Sequence, residues 1–148
     1  WGGIALKEFI PASGTYLGSN VARATANTEI KGFSVYNQAG AMLTTPQSQA
    51  PVALGGGAVN FYRMGSKARI AVAIDPTLAA TLVNGTTLID AQVSWDYTNQ
   101  KIVAYDSVAA LNAKIIDINI GNSKTVTYDA VNNLCNWVAT GSTAIIEI

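Results

Sequence analysis

The chain has 148 residues, of which 49% are hydrophobic and only 12% are charged, and its nine basic and nine acidic residues give a formal net charge of +0. This balance argues against binding to nucleic acid, because that needs a basic patch. It also argues against binding to an anionic membrane surface. No apolar run approaches the ~20 residues of a membrane helix. The length favours one domain over residues 1–148. A charge-poor surface associates readily, so much of this surface is expected to face other protein. The alternative is a soluble domain whose surface is rich in Ser, Thr and Asn.

The N-terminal part begins with a strand pattern and continues into a polar segment. The run Ile4–Ile10 is predicted to form a strand that stops at Pro11, and residues 1–10 are a candidate extended arm. The segment Ser13–Thr28 is rich in small polar residues, which predicts a loop with a second strand near Asn20–Ala24.

Two hairpins are predicted next, each at a polar or glycine-containing turn. The turns are Asn37–Gly40 and Gly65–Ser66. The strands that they join are Ile30–Tyr36 with Ala41–Thr44, and Ala58–Met64 with Lys67–Ile74. Between the hairpins, Thr44–Gly57 contains two prolines and three consecutive glycines, which predicts a long loop.

Helix signals are few. The segment Pro76–Val83 is predicted to form two helical turns, with Asp75 as the N-cap and with Asn84 and Gly85 as the stop. The segment Ser107–Ala113 is a second short candidate, and it is equally compatible with a loop.

The clearest alternation of apolar and polar residues covers Ile89–Tyr97. It predicts a strand that places Trp95 in the core. A polar turn at Thr98–Gln100 leads into Lys101–Tyr105, which predicts a hairpin. Asp96 opens this turn, where an aspartate side chain can bond the backbone ahead of it.

A similar hairpin follows, in which Thr125–Tyr128 and Leu134–Ala139 flank a turn at Asp129–Asn133. Alternation places Trp137 in the core. Two separate strands are also predicted, one on each side of this hairpin: Ile116–Ile120 and Thr143–Ile148. Many short strands with regular turns predict an all-β fold, an antiparallel sandwich or jelly-roll-like barrel with at most one or two short helices.

The residues offer little for catalysis. The chain has no histidine, which removes Ser-His-Asp and Cys-His arrangements. Its single cysteine, Cys135, cannot complete a zinc site, and we interpret it as a buried, inert thiol. The carboxylates fall mostly in turns or on polar strand faces, without the spacing of a calcium loop. We therefore predict no enzyme activity, no catalytic, cofactor-binding or metal-binding residues, and no cofactor.

Two segments carry a resemblance to a known family. The run AQVSWDYTNQKI at residues 91–102 resembles the V-x-W-D-x-T-x-x-K-(V/I) segment of the head decoration, or cement, proteins of tailed bacteriophages. The closing run ATGSTAIIEI at residues 139–148 is similar to their C-terminal ATGNT-x-(I/L)-x-x strand. The resemblance covers roughly residues 86–148.

The resemblance implies a jelly-roll-like module on the outside of a phage capsid, made in the host cytoplasm and free of catalytic residues. Its partners are then the major capsid protein and a second copy of itself, with a homodimer expected rather than a homotrimer. The alternative is a carbohydrate-binding or adhesin-type β-sandwich that uses exposed Trp or Tyr side chains. Because the first residue is Trp1 and not Met, we also expect an upstream segment, which keeps an extracellular location open.

Seven residues are candidate contacts with the capsid or another partner. The N-terminal arm is included because extended segments can add strands or fill grooves. Arginines are included because they pair bidentately with carboxylates at interfaces. The candidates are Trp1, Ile4, Leu6, Tyr16, Arg23, Arg63 and Arg69.

Overall fold

The computed structural model describes residues 2–10, 19–35, 59–83, 91–129 and 134–148. Within these ranges the chain is mostly β-structure, as the alternating patterns predict. The strands are β1 (Ala5–Phe9), β2 (Asn20–Arg23), β3 (Gly32–Ser34), β4 (Phe61–Arg63), β5 (Arg69–Ile74), β6 (Val93–Asp96), β7 (Lys101–Ala104), β8 (Lys114–Asp129) and β9 (Leu134–Glu147). One α-helix, α1, covers Pro76–Val83, and a 3-10 turn covers Asn27–Glu29.

The strands form two sheets. One has the order β2-β1-β3-β4 and the other has the order β6-β7-β5-β9-β8. Described neighbours pair antiparallel, except β5 and β7, which are parallel. A parallel pair needs a crossover connection, which here contains α1 and β6. The predicted all-β, sandwich-like fold is confirmed.

The core lies between the two sheets. Phe33 of β3 and Trp95 of β6 meet edge to face across it, with ring centroids 5.0 Å apart and planes at 71°, which is a favourable geometry for aromatic rings. Both side chains are buried, which confirms the predicted position of Trp95. Aliphatic side chains from both sheets complete the cluster: Ala5, Val72, Val93, Ile102, Ile115, Ala144 and Ile146.

The β8–β9 hairpin is longer than the sequence pattern indicates. Four separate strands were predicted here, but the structure joins them into two strands of 16 and 14 residues. Strand β5 pairs with β9 only over Thr143–Glu147, so the rest of the hairpin is two-stranded. We call its two-stranded part, residues 123–129 and 134–141, the distal ribbon. Three register shifts interrupt the hairpin, and such bulges bend a strand pair.

The turn at Gly65–Ser66 does not close the predicted hairpin. The Ser66 N–H donates to the Arg63 carbonyl at 3.2 Å, so the chain does turn here. However, β4 pairs with β3, whereas β5 pairs with β7 and β9. The turn therefore carries the chain from one sheet to the other, because local turn chemistry reverses direction without selecting the pairing partner.

The first helix prediction is confirmed and the second candidate is a loop. The carboxylate of Asp75 accepts hydrogen bonds from the N–H groups of Thr77 at 3.0 Å and Leu78 at 3.4 Å, which is the N-cap arrangement. In the second segment, Asp106 instead accepts from the Val108 N–H at 3.0 Å. That bond forms a local turn, with Ser107 at a φ of 64°.

Residues 5–9 of the candidate N-terminal arm form an interior strand. Strand β1 pairs with β2 on one side and β3 on the other, because its apolar residues are needed in the core and its backbone groups need partners on both sides. Several predicted features lie outside the described residues: the turn at Asn37–Gly40, the strand Ala41–Thr44, the loop Thr44–Gly57, the helix stop at Asn84 and Gly85, and turn residues 130–133.

Candidate functional site

One face of the five-stranded sheet presents an apolar centre beside a row of charged residues. Two rows of directly paired residues cross β5, β9 and β8 here: Arg69–Glu147–Lys114 and Ala71–Ile145–Asp117. Residues directly opposite each other point to the same side of a sheet, so these six share one face, which we call the β9 face. At its centre Ile145 is 39% exposed, whereas its neighbours Ala144 and Ile146 are fully buried.

The charges of the β9 face balance. The Arg69 Nε donates to the Glu147 Oε2 at 3.4 Å, and the Arg69 side chain is 64% exposed. Exposed pairs of this kind contribute about 0–1 kcal/mol to stability. Lys114 flanks Glu147 on its other side, and Asp117 supplies the second acidic group. These side chains are thus available to a partner, and the face can bind protein without a net charge requirement.

A groove of about 170 Å³ lies where the distal ribbon meets the five-stranded sheet. Ala71 and Thr143 line it from the sheet, and Lys124, Val126 and Trp137 line it from the ribbon. Gly2 and Gly3, which precede β1, also line it, so the groove is bounded by the ribbon, the sheet and the N-terminal segment.

Trp137 lies at this groove and is 46% exposed, so its predicted place in the core is wrong. The alternation assigns the correct strand face, since Trp137 shares that face with Cys135, and Cys135 is buried. A two-stranded ribbon cannot cover a large indole on its own, however, which leaves Trp137 partly in solvent. Burial raises the pKa of the Cys135 thiol, and the interpretation of this residue as a buried thiol is confirmed.

The three arginines among the predicted partner contacts lie on different strands and do not form one site. Arg23, on β2, donates through Nη2 to the Tyr97 carbonyl at 2.7 Å, so it fixes the turn after β6. Arg63, on β4, pairs with Glu8 at 2.6 Å. Only Arg69 belongs to the β9 face.

The four remaining predicted contacts are on or near the N-terminal segment. The N–H of Ile4 donates to the Ser34 Oγ at 3.0 Å, and Ile4 is half-buried. Leu6 is only 6% exposed, so it packs inside the protein and is not available to a partner. Trp1 and Tyr16 lie outside the described residues.

The polar groups near the turns serve local structure. A hydrogen bond from Lys101, at 2.8 Å, holds the pKa of Asp75 below its ordinary value. For Asp96, burial opposes ionisation, but hydrogen bonds from Asn99 and from the Thr98 N–H keep its pKa lowered. The predicted turn role of Asp96 is thereby confirmed. Burial, helped by the charges of nearby carboxylates, raises the pKa of Tyr97 to about 12, so its hydroxyl stays protonated.

The described ranges contain neither a metal-binding cluster nor a membrane-spanning helix. No group of three or more His, Cys, Asp or Glu residues is arranged to hold a metal ion. No helix is long and apolar enough to cross a membrane.

Sequence reasoning missed the β9 face and the groove, although one signal was present. The alternation in Thr143–Ile148 already separates Ile145 from the buried residues on either side of it. No comparable signal indicates Lys124, because its place beside the groove depends on the bend of the hairpin.

Comparisons with protein-family models, with curated proteins and with solved structures gave no match to this chain. The fold and the site therefore define its class: an all-β, sandwich-like domain with an apolar sheet face and an aromatic-lined groove.

Proposed function

We propose that this protein is a structural virion component that binds the outer surface of an assembled phage capsid. There it stabilises the shell by bridging neighbouring capsid subunits, without catalytic activity. The resemblance of residues 91–102 and 139–148 to head decoration proteins motivates the proposal. In the fold, these segments contain the β6–β7 hairpin and the C-terminal part of β9.

The β9 face is the observation that carries this proposal. An apolar centre surrounded by a polar rim is the usual anatomy of a protein interface. Ile145 lies between a charged row, Arg69–Glu147–Lys114, and an uncharged row, Ala73–Thr143–Asn119. Strand β9 is held on both sides, by β5 and β8. The face is therefore rigid before binding, so little conformational entropy is lost when a partner covers it.

A homodimer is part of the proposal. Two linked copies present two capsid-binding faces, so that one dimer spans two capsid subunits and gains affinity from simultaneous attachment. Sedimentation equilibrium of the purified protein measures its oligomeric state directly. A monomer at all micromolar concentrations would contradict the dimer but not capsid binding.

The test of capsid binding compares two partners. Purified protein is mixed with capsids that lack it and, separately, with unassembled capsid subunits. We expect co-sedimentation with the assembled shell, a higher temperature of shell disruption, and no complex with the loose subunits. Binding to loose subunits alone would contradict a bridging role.

Carbohydrate binding is the second candidate, and the exposure of Trp137 favours it. Partly exposed aromatic rings beside a groove are suited to hold a small ligand. Saturable binding of a glycan that is lost in Trp137→Ala, without binding to capsids, would select this function over the first.

A further inference from the structure

One face of the distal ribbon carries both a tryptophan and a lysine that line the groove. Trp137 lies directly opposite Val126 in the β8–β9 pairing. Lys124 precedes Val126 by two positions, and residues two apart in a strand share a face. All three residues line the groove, so Trp137 and Lys124 border the same space.

The groove has the size of a site for one sugar ring, and its wall is mostly apolar. Its volume of about 170 Å³ is comparable to that of a single pyranose, and much too small for a folded partner. Sugar rings bind proteins by laying their C–H face on an aromatic side chain, and Trp137 is 46% exposed at this edge. Two threonines also line the groove, but the Thr143 hydroxyl shares a hydrogen bond with the Ser123 Oγ at 2.8 Å and the Thr125 Oγ1 lies against Gly141.

Lys124 takes part in none of the ion pairs found among the described residues. The ion pairs of the described residues use other cations: Lys7, Arg63, Arg69 and Lys101. The Lys124 side chain is exposed, and the lining residues include no carboxylate. A ligand with its own carboxylate would therefore match the site better than a neutral one.

We propose that this groove binds an acidic sugar, with the pyranose ring stacked on Trp137 and the carboxylate paired with Lys124. The inference rests on the second proposed function, carbohydrate binding, and names the sugar class and the residues that select it. It does not require capsid attachment, which is assigned to the β9 face.

The test titrates the full chain with two trisaccharides at low salt, the acidic trigalacturonate and the neutral cellotriose, by calorimetry and tryptophan fluorescence. We expect saturable binding of trigalacturonate that weakens as salt is added, and cellotriose binding that is about fivefold weaker or undetectable. Equal binding of both sugars overturns the acidic-sugar inference and leaves carbohydrate binding standing. Binding of neither overturns both.

Matched variants locate the site. We expect Lys124→Gln to weaken trigalacturonate binding about fivefold, and Trp137→Ala to weaken it about tenfold. Lys31→Gln is the control, since Lys31 is an exposed lysine that does not line the groove. Circular dichroism checks that each variant is folded, and Trp137→Phe retains part of the stacking surface if the alanine variant is not. Equal effects of Lys124→Gln and Lys31→Gln would contradict the proposed site.

Discussion

The side-chain carbonyl of Gln100 accepts a hydrogen bond from the backbone N–H of Ala5 at 2.9 Å, and this bond joins the two sheets. The same oxygen accepts from the Trp95 Nε1 at 3.3 Å, and the Gln100 Nε2 donates to the Tyr97 carbonyl at 2.7 Å. Gln100 is only 2% exposed. Both ends of a buried amide are thus satisfied, which fixes how one sheet sits on the other.

Replacing Gln100 with alanine should destabilise the protein by about 2–3 kcal/mol, because two buried N–H donors lose their acceptor. Alanine and glutamine are strained alike by the left-handed backbone at this position, where φ is 53°, so the side chain alone is tested. The free energy of unfolding in urea measures the effect. Gln92→Ala, at an exposed position, is the control and should change stability by less than about 0.5 kcal/mol. Equal effects of the two would contradict the role of Gln100.

Truncation of the two described tryptophans should reduce the free energy of unfolding by very different amounts. Trp95 is 3% exposed and Trp137 is 46% exposed. We expect Trp95→Ala to cost about 3–5 kcal/mol, and Trp137→Ala to cost about 1–2 kcal/mol, in line with its smaller buried area. Urea unfolding provides both values. A larger cost for Trp137→Ala would place that side chain in the core after all.

Gly141 permits close pairing of the hairpin where β8 and β9 shift register. A Cβ added at Gly141 would lie 2.0 Å from the Thr125 Oγ1 and 2.7 Å from the Thr125 Cβ. Gly141→Ala should therefore destabilise the protein by about 1–3 kcal/mol through overpacking. Thermal unfolding of a double-mutant cycle with Thr125→Gly tests the cause. The double variant should be more stable than the sum of the single effects predicts, and strict additivity would contradict the steric explanation.

Protonation of Asp75 should lower the stability of the fold at acid pH. Its pKa is lowered in the folded state from an ordinary value of 3.8, chiefly by the hydrogen bond from Lys101. The unfolded state therefore takes up the proton first as the pH falls. The stabilisation is present above the ordinary value and is lost as the pH drops through the lower folded value.

Two variants separate this charge from the cap. Asp75→Ala should cost about 1 kcal/mol at neutral pH, because the helix loses its N-cap. Asp75→Asn keeps a capping oxygen, so it should cost less and should show a shallower loss of stability below about pH 4. Urea unfolding over a pH series measures both. If Asp75→Asn lost unfolding free energy below about pH 4 as steeply as wild type, Asp75 would not be the source of the acid dependence.

Local chemistry explains which parts of the fold were predictable. The cap at Asp75 and the turn at Asp96 depend on hydrogen bonds within three residues, and both were identified from sequence. The turn at Gly65–Ser66 was also identified, but its flanking strands join different sheets. That choice depends on long-range pairing, which turn residues do not encode.

Register shifts explain the errors in β8 and β9. Alternation groups Ile116 with Ile118 and Ile120, but a register shift lies between Ile115 and Asp117. Ile115 is consequently the fully buried residue, and Ile120 is 39% exposed. Beyond the shifts, Trp137 follows the correct period on a ribbon too narrow to bury it. A period of two reports which residues share a face, but not how completely that face is covered.

The most direct test of capsid attachment is co-sedimentation with capsids that lack the protein, comparing wild type with Ile145→Asp and Val108→Asp. Both variants add a negative charge at an exposed β-branched residue, but Val108 lies in the loop before β8 and is 84% exposed. A charge at the centre of the β9 face should remove most of the binding, because it must be desolvated beneath the partner. We expect wild type and Val108→Asp to sediment with the shell, and Ile145→Asp, folded by circular dichroism, to stay in solution. Failure of the wild type to co-sediment at micromolar concentration would contradict capsid attachment, and full binding of Ile145→Asp would contradict its assignment to the β9 face.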